Sequence, residues 1–133
     1  MFLFDTDTLS ETLRRAPSPR LLARLASVPP EQQFTTAITV GEMVYGAHRS
    51  TKREHLLQQL QTRVWPHVRI LAFDRSAAET YGQLRAQLER TGTPLSEPDM
   101  RIAAIALTHD LTVVTGNTRH FRRVQGLRVE DWM

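Results

Sequence analysis

An α/β fold on a mainly parallel central sheet is what this chain predicts, from three observations. Short β-rich runs alternate with stretches of helical spacing along the whole length. The first run, Phe2 to Phe4, is apolar at consecutive positions, as a strand covered on both faces must be. And the segment DMRIAAIALTH, Asp99 to His109, is apolar nearly all round, as a helix lying against a sheet would be.

The elements follow in order. Phe2 to Phe4 form a strand that stops at Asp5. A helix is expected from about Thr8 to Arg15, ended by Pro17 and Pro19, and a second from about Arg20 to Ser27, with Leu21, Leu22 and Leu25 on one face. FTTAIT, Phe34 to Thr39, reads as a strand running into a helix that carries Val40, Met43, Val44 and Ala47. Arg53 to Val64 is a further amphipathic helix and Val68 to Phe73 a strand. Arg75 to Gly92 is a long helix, with Ala78, Tyr81, Leu84 and Leu88 on its stripe and Gly92 as its C-terminal cap. After the buried helix, Leu111 to Thr115, LTVVT, closes the series as a strand.

Composition narrows the function classes. The 133 residues, 41% hydrophobic and 23% charged, suit one folded domain over residues 1–133. There is no cysteine, so neither disulfides nor a thiolate metal site is available, and a reducing cytoplasm fits best. No stretch approaches the roughly twenty apolar residues of a membrane span, and Met1 to Phe4 is too short for a signal peptide. Of the 17 cationic residues only Lys52 is lysine. Arginine's planar fork matches pairs of phosphate oxygens, which points to a nucleic-acid backbone as a partner.

The polar residues that carry chemistry fall where such a sheet binds ligands. Asp5 follows the first strand, Glu42 lies early in the helix after the second, Asn117 comes just past LTVVT, and Asp99 opens the buried helix. Open parallel sheets bind ligands outside the carboxyl ends of their strands. Each acid also has a local explanation: Asp5 as a helix cap, Thr39-x-x-Glu42 and Ser96-x-x-Asp99 as capping boxes, worth ~1 kcal/mol apiece. Caps alone do not require that several acids gather on one edge. Gathered carboxylates repel, and a hard divalent cation, Mg²⁺ or Mn²⁺, would neutralise them. The matching reaction is phosphodiester hydrolysis.

FLFDTDTLS, ITVGEMVYGAHRS, YGQLRAQLERTGTPLSEPDMRIAAIAL and LTVVTGNTRHFRRVQGLRVEDW together resemble the PIN-domain family and, within it, the VapC-type toxins of toxin–antitoxin pairs. The resemblance spans nearly the whole chain and implies a three-layer α/β/α fold. It also implies a Mg²⁺-dependent endoribonuclease, with Mn²⁺ as a possible substitute, that is silenced by a cognate antitoxin and assembled as a homodimer. Carried over by position, the catalytic set is Asp5, Glu42, Asp99 and Asn117. Asp5 and Asp99 would hold the metal most directly, and Arg119 would contact the RNA phosphate. His120 stands where many relatives carry an acid, and Asp7 fits an accessory acceptor or cap. In the resembling toxins the antitoxin tail lies in an apolar groove between early helices, which places it here near Leu22 and Leu25.

Two other classes fit parts of the sequence. DTDTL after an apolar run also resembles the first motif of haloacid-dehalogenase-like phosphatases, with Asp5 as nucleophile. Those enzymes need a late lysine and a late pair of acids, where this chain offers only Lys52 and GNTRH. A non-catalytic RNA-binding module that keeps the fold is the other; retention of RNA without metal-dependent cutting would mark it.

Overall fold

A computed structural model describes residues 1–133. Five strands, β1 (Phe2–Phe4), β2 (Gln33–Thr36), β3 (Arg69–Leu71), β4 (Thr112–Val114) and β5 (Val129–Glu130), form one sheet in the order β3-β2-β1-β4-β5. Every neighbouring pair is parallel, with Phe2 beside Gln33 and Thr112 on its two sides. The chain therefore starts in the middle of the sheet, builds outward to β3, then returns to lay β4 against the free side of β1. The strand order reverses between β1 and β4, and at such a switch point the carboxyl ends of the strands in an open α/β sheet frame a crevice.

Seven helices cover the sheet: α1 (Thr6–Thr12), α2 (Pro19–Ser27), α3 (Ala37–Arg49), α4 (Arg53–Gln59), α5 (Arg75–Thr91), α6 (Glu97–Thr108) and α7 (Thr118–Phe121). Successive strand residues point to opposite faces, and the two cores divide accordingly. Leu3 and Val113 pack with α5 and α6 residues such as Leu84, Leu88, Ile102 and Ile105. Phe4 and Val114 pack on the other face with Leu9, Leu21, Met43 and Leu60. The three-layer α/β/α expectation is met, and its parallel sheet has no antiparallel strand. No helix is long and apolar enough to cross a membrane.

Several local expectations hold. Gly92 ends α5 in the left-handed conformation at φ 68°, where a side chain would be strained. Ser96 caps α6, its Oγ accepting the Asp99 N–H at 3.3 Å, with Pro98 in the first turn. α6 buries Met100, Ile102, Ala103, Ala104, Ile105 and Ala106, as its apolar circumference requires.

Other expectations are corrected. The strand ends at Thr36, not Thr39: the Thr36 hydroxyl accepts the Thr39 N–H at 3.0 Å and starts α3 there. Thr39 and Glu42 thus form no capping box, because a stronger cap three residues earlier already satisfies that turn. α1 begins at Thr6, two residues before the expected start, since Asp5 itself is the cap. The helix from Arg53 loosens after Gln59 into a π-helical turn, Leu60–Val64, ahead of Pro66. At the other end of the chain, Trp132 is 2% exposed and closes the core with its ring edge-on to Phe2 and Phe4.

Thr36→Ala removes the cap of α3 and is expected to lower stability by at least ~1 kcal/mol, read as a lower denaturant midpoint at unchanged slope.

Candidate active site at the switch point of the sheet

Asp5 stands at the end of β1, on the border with β4, and is only 4% exposed. Both of its oxygens are engaged. Oδ1 accepts the Thr8 N–H at 2.9 Å, which caps α1, and Oδ2 accepts the Thr115 hydroxyl at a short 2.5 Å. Thr115 lies directly after β4, so this hydrogen bond spans the switch point. The Thr115 oxygen in turn accepts the Asn117 N–H at 2.8 Å. Asn117 thereby joins the same crevice at the start of α7, where its amide pairs with Nδ1 of His120 at 2.6 Å.

Removing a carboxylate from water disfavours its charge. Burial pushes Asp5 up to about 6, although the Thr115 and Thr8 hydrogen bonds oppose the rise and the neighbouring Asp7 charge adds to it. Asp99, at the third residue of α6, is also raised, chiefly by burial. A hydrogen bond with Ser96 and the field of His120 pull it down, while Asp7 pushes it further up. Asp7 is thus the charge felt by both the buried Asp5 and the half-buried Asp99. It is exposed in the first turn of α1 and caps nothing, so its part is electrostatic.

Glu42 enters from α3. Its Oε1 accepts the Thr6 hydroxyl at 2.6 Å, which ties it to the residue after Asp5. Glu42 also lines an apolar pocket of about 430 Å³ with Leu13, Met43, Leu56 and Leu60. Asp5 and Asn117 are therefore linked through Thr115, Asp99 shares the field of Asp7 with Asp5, and Glu42 stands beside them through Thr6. Arg119 lies on α7, two residues past Asn117, exposed and in no ion pair.

None of Asp5, Asp7, Glu42 and Asp99 has an arginine or lysine within ion-pair distance, while seven ion pairs form elsewhere. No three His, Asp or Glu side chains close into a preformed metal-binding group. The donors are nonetheless all hard oxygens, and on Asp5 and Asp99 burial disfavours the charge; that chemistry suits Mg²⁺ or Mn²⁺. Asp5 is able to cap and to ligate at once, because each carboxylate oxygen accepts one hydrogen bond and retains a lone pair.

Thr115 and Thr6, which hold Asp5 and Glu42, are the residues of this candidate site that sequence reasoning passed over. The only signal for Thr115 was a hydroxyl at the last position of the LTVVT run, facing the turn rather than the core. For Thr6 it was its place between two aspartates.

Comparison with known proteins agrees with the geometry. The family described as PIN domain matches residues 2–127. The chain is 34% identical over 131 residues to the tRNA(fMet)-specific endonuclease VapC of Salmonella typhimurium, covering 98% of this chain and 97% of that one. It is 36% identical over 126 residues to the toxin FitB of Neisseria gonorrhoeae, covering 91% of each. Its fold superposes on the DNA-bound VapBC of Salmonella typhimurium with a TM-score of 0.92, at 35% identity, covering 99% of this chain and 98% of that one. On FitAcB of Neisseria gonorrhoeae the TM-score is 0.89 at 35% identity, covering 97% and 96%. With a parallel sheet, acids at its switch point and near-full-length similarity of this kind, the chain belongs to the PIN-domain family.

Proposed function

We propose that this protein is a divalent-metal-dependent endoribonuclease and the toxin of a toxin–antitoxin pair, with Asp5 and Asp99 as its metal ligands. The observation that carries the reading is a buried Asp5 and a half-buried Asp99, both raised in pKa, both facing the Asp7 charge and neither paired with an arginine or lysine. The relatives named endonuclease and toxin, and the solved VapBC and FitAcB complexes, support the same reading. The phosphatase alternative fails on the family and on Lys52, which stands exposed at the start of α4 and pairs with no acid.

Each residue has a distinct task. Thr115 and the Thr8 N–H hold the Asp5 carboxylate in one orientation. Glu42, oriented by Thr6, positions the attacking water and accepts its proton. Asn117 presents its amide to the same crevice, and Arg119 gives the phosphate a cation free of competing acids. When bound, Mg²⁺ or Mn²⁺ supplies charge stabilisation to the phosphodiester oxygens and acidifies water.

The partner has a surface of the expected kind. A groove of about 460 Å³ runs beside α1, α2 and the π-helical turn, lined by Leu9, Leu22, Leu25, Val28, Val64 and Val68. Leu22 is 44% exposed there without a partner of its own. An amphipathic antitoxin segment would cover it.

Three outcomes test the proposal. Asp99→Asn should lower metal-dependent RNA cleavage by more than about 100-fold with the circular dichroism spectrum unchanged, and chelator should do the same to the unmodified protein. Full cleavage by either would refute the assignment.

Asp5→Asn should abolish cleavage yet stabilise the metal-free protein at pH 7.5 by up to about 3 kcal/mol, from a rise of 3.8 to about 6. The native chain keeps this proton up to about pH 6, and the unfolded chain only to about pH 4. Stability due to Asp5 therefore falls as pH rises through that window, and the advantage of Asn should vanish below about pH 4. Chemical denaturation at several pH values measures it.

Leu22→Glu should weaken binding of the cognate antitoxin at least about tenfold, by burying a charge in the groove, while leaving cleavage by the free protein intact. Calorimetric titration measures the affinity, and an unchanged value would count against the groove.

A further inference from the structure

The first turn of α6 carries two acids in opposite surroundings. Glu97 and Asp99 are two residues apart, which separates them by about 200° around a helix. Glu97 turns toward α5. Its Oε2 accepts the Tyr81 hydroxyl at 2.6 Å, and its Oε1 lies 3.0 Å from Nη1 of Arg85. Arg101, one turn further along α6, reaches the same carboxylate at 3.4 Å. The Tyr81 oxygen also accepts from Arg85 at 3.0 Å, so its proton and a lone pair are both committed. Its ring is fixed edge-on to Phe73 at 5.8 Å, and the Arg101 guanidinium lies against both rings. Asp99 leaves the helix on the far side, where Asp7 and His120 are the charges it meets. Pro98 links the two acids with a fixed φ, so a rotation of one carries the other.

This clamp does little for stability. Its side chains are 41–49% exposed, and solvent screening leaves such ion pairs little net effect on stability. The core residues from Met100 onward hold α6 to the sheet in any case. The Ser96 cap sets where the helix starts, and the turn ahead of Met100, which carries Asp99, lies outside that core.

We propose that Tyr81 is a positioning residue: by gripping Glu97 against α5, its hydroxyl fixes the rotation of the first turn of α6 and so the direction from which Asp99 meets a divalent cation. This rests on Asp99 being a metal ligand. Nearest-neighbour groups that orient a ligand commonly change metal affinity by 10–100-fold.

Direct binding separates the two ideas. Mn²⁺ is titrated calorimetrically into the full chain without RNA, for the unmodified protein, Tyr81→Phe, Glu97→Ala, Glu97→Gln and Asp99→Asn, and the thermal midpoint of each is recorded. Tyr81→Phe changes neither net charge nor the aromatic contact. It should weaken Mn²⁺ about tenfold with its midpoint unchanged. Glu97→Ala should weaken binding at least as much, whereas Glu97→Gln, which keeps an oxygen for the hydroxyl, should lie closer to the unmodified protein. If Tyr81→Phe binds within about twofold of the unmodified protein while Asp99→Asn loses binding, the positioning role is overturned and the metal site stands. If Asp99→Asn binds like the unmodified protein, both fall.

Discussion

The structure turns on one buried carboxylate. Asp5 sits where the strand order reverses, and its two oxygens reinforce the meeting of β1, α1 and β4: Oδ1 holds the start of α1, and Oδ2 holds Thr115 at the end of β4. Thr115 then fixes Asn117, and the residue after Asp5 fixes Glu42. Hydroxyl contacts thus tie Asp5 to Asn117 and hold Glu42 beside it, while Asp99 is reached only through the field of Asp7. The arrangement is costly for Asp5, because two hydrogen bonds do not replace the water it has lost.

Whether an acid in DTDTL is a cap or a ligand turns out to be a false choice. A cap needs one oxygen and one lone pair, and a carboxylate has more than that to give. The same holds for Asp99, whose backbone N–H serves the Ser96 cap while its side chain is left to feel Asp7. Helix starts at the carboxyl edge of a parallel sheet are where acids are both locally favoured and functionally gathered, so local stability and site geometry select the same residue types there.

Most of the architecture was legible because it rests on burial. Consecutive apolar residues in Phe2–Phe4 and Thr112–Val114, and the apolar circumference of α6, identify elements covered on all sides. What escaped was decided by single hydrogen bonds or by little burial at all. The end of β2 depended on which of several threonines capped α3, and neighbouring β-branched residues give no period to distinguish them. β5 is two residues long and half-buried, and α7 is four residues, too short for either period to register. The acids of the site could be read as residue types at strand ends. Their interdependence through Thr6, Thr115 and Asp7 could not, since it arises only when distant segments fold together.

Helix ends give the crevice a second electrostatic character. Asp5 caps α1, Asp7 lies in its first turn, and Asp99 in the first turn of α6. A helix N-terminus favours a nearby negative charge by ~0.3–1 kcal/mol. For Asp5 the rise from 3.8 to about 6 corresponds to ~3 kcal/mol against the charged form. Desolvation therefore outweighs the helix end, the hydroxyl and the backbone N–H together. Arginines near enough to compensate would cancel the deficit and with it the capacity to hold a cation. The chain instead spends its arginines elsewhere: Arg85 and Arg101 neutralise Glu97 on the far side of the same turn, and Arg75, Arg24 and Arg128 pair with acids outside the crevice. Leaving Asp5 and Asp99 without an arginine partner keeps the folded state less stable than it could be, and on the proposed function a divalent cation would offset that cost on binding.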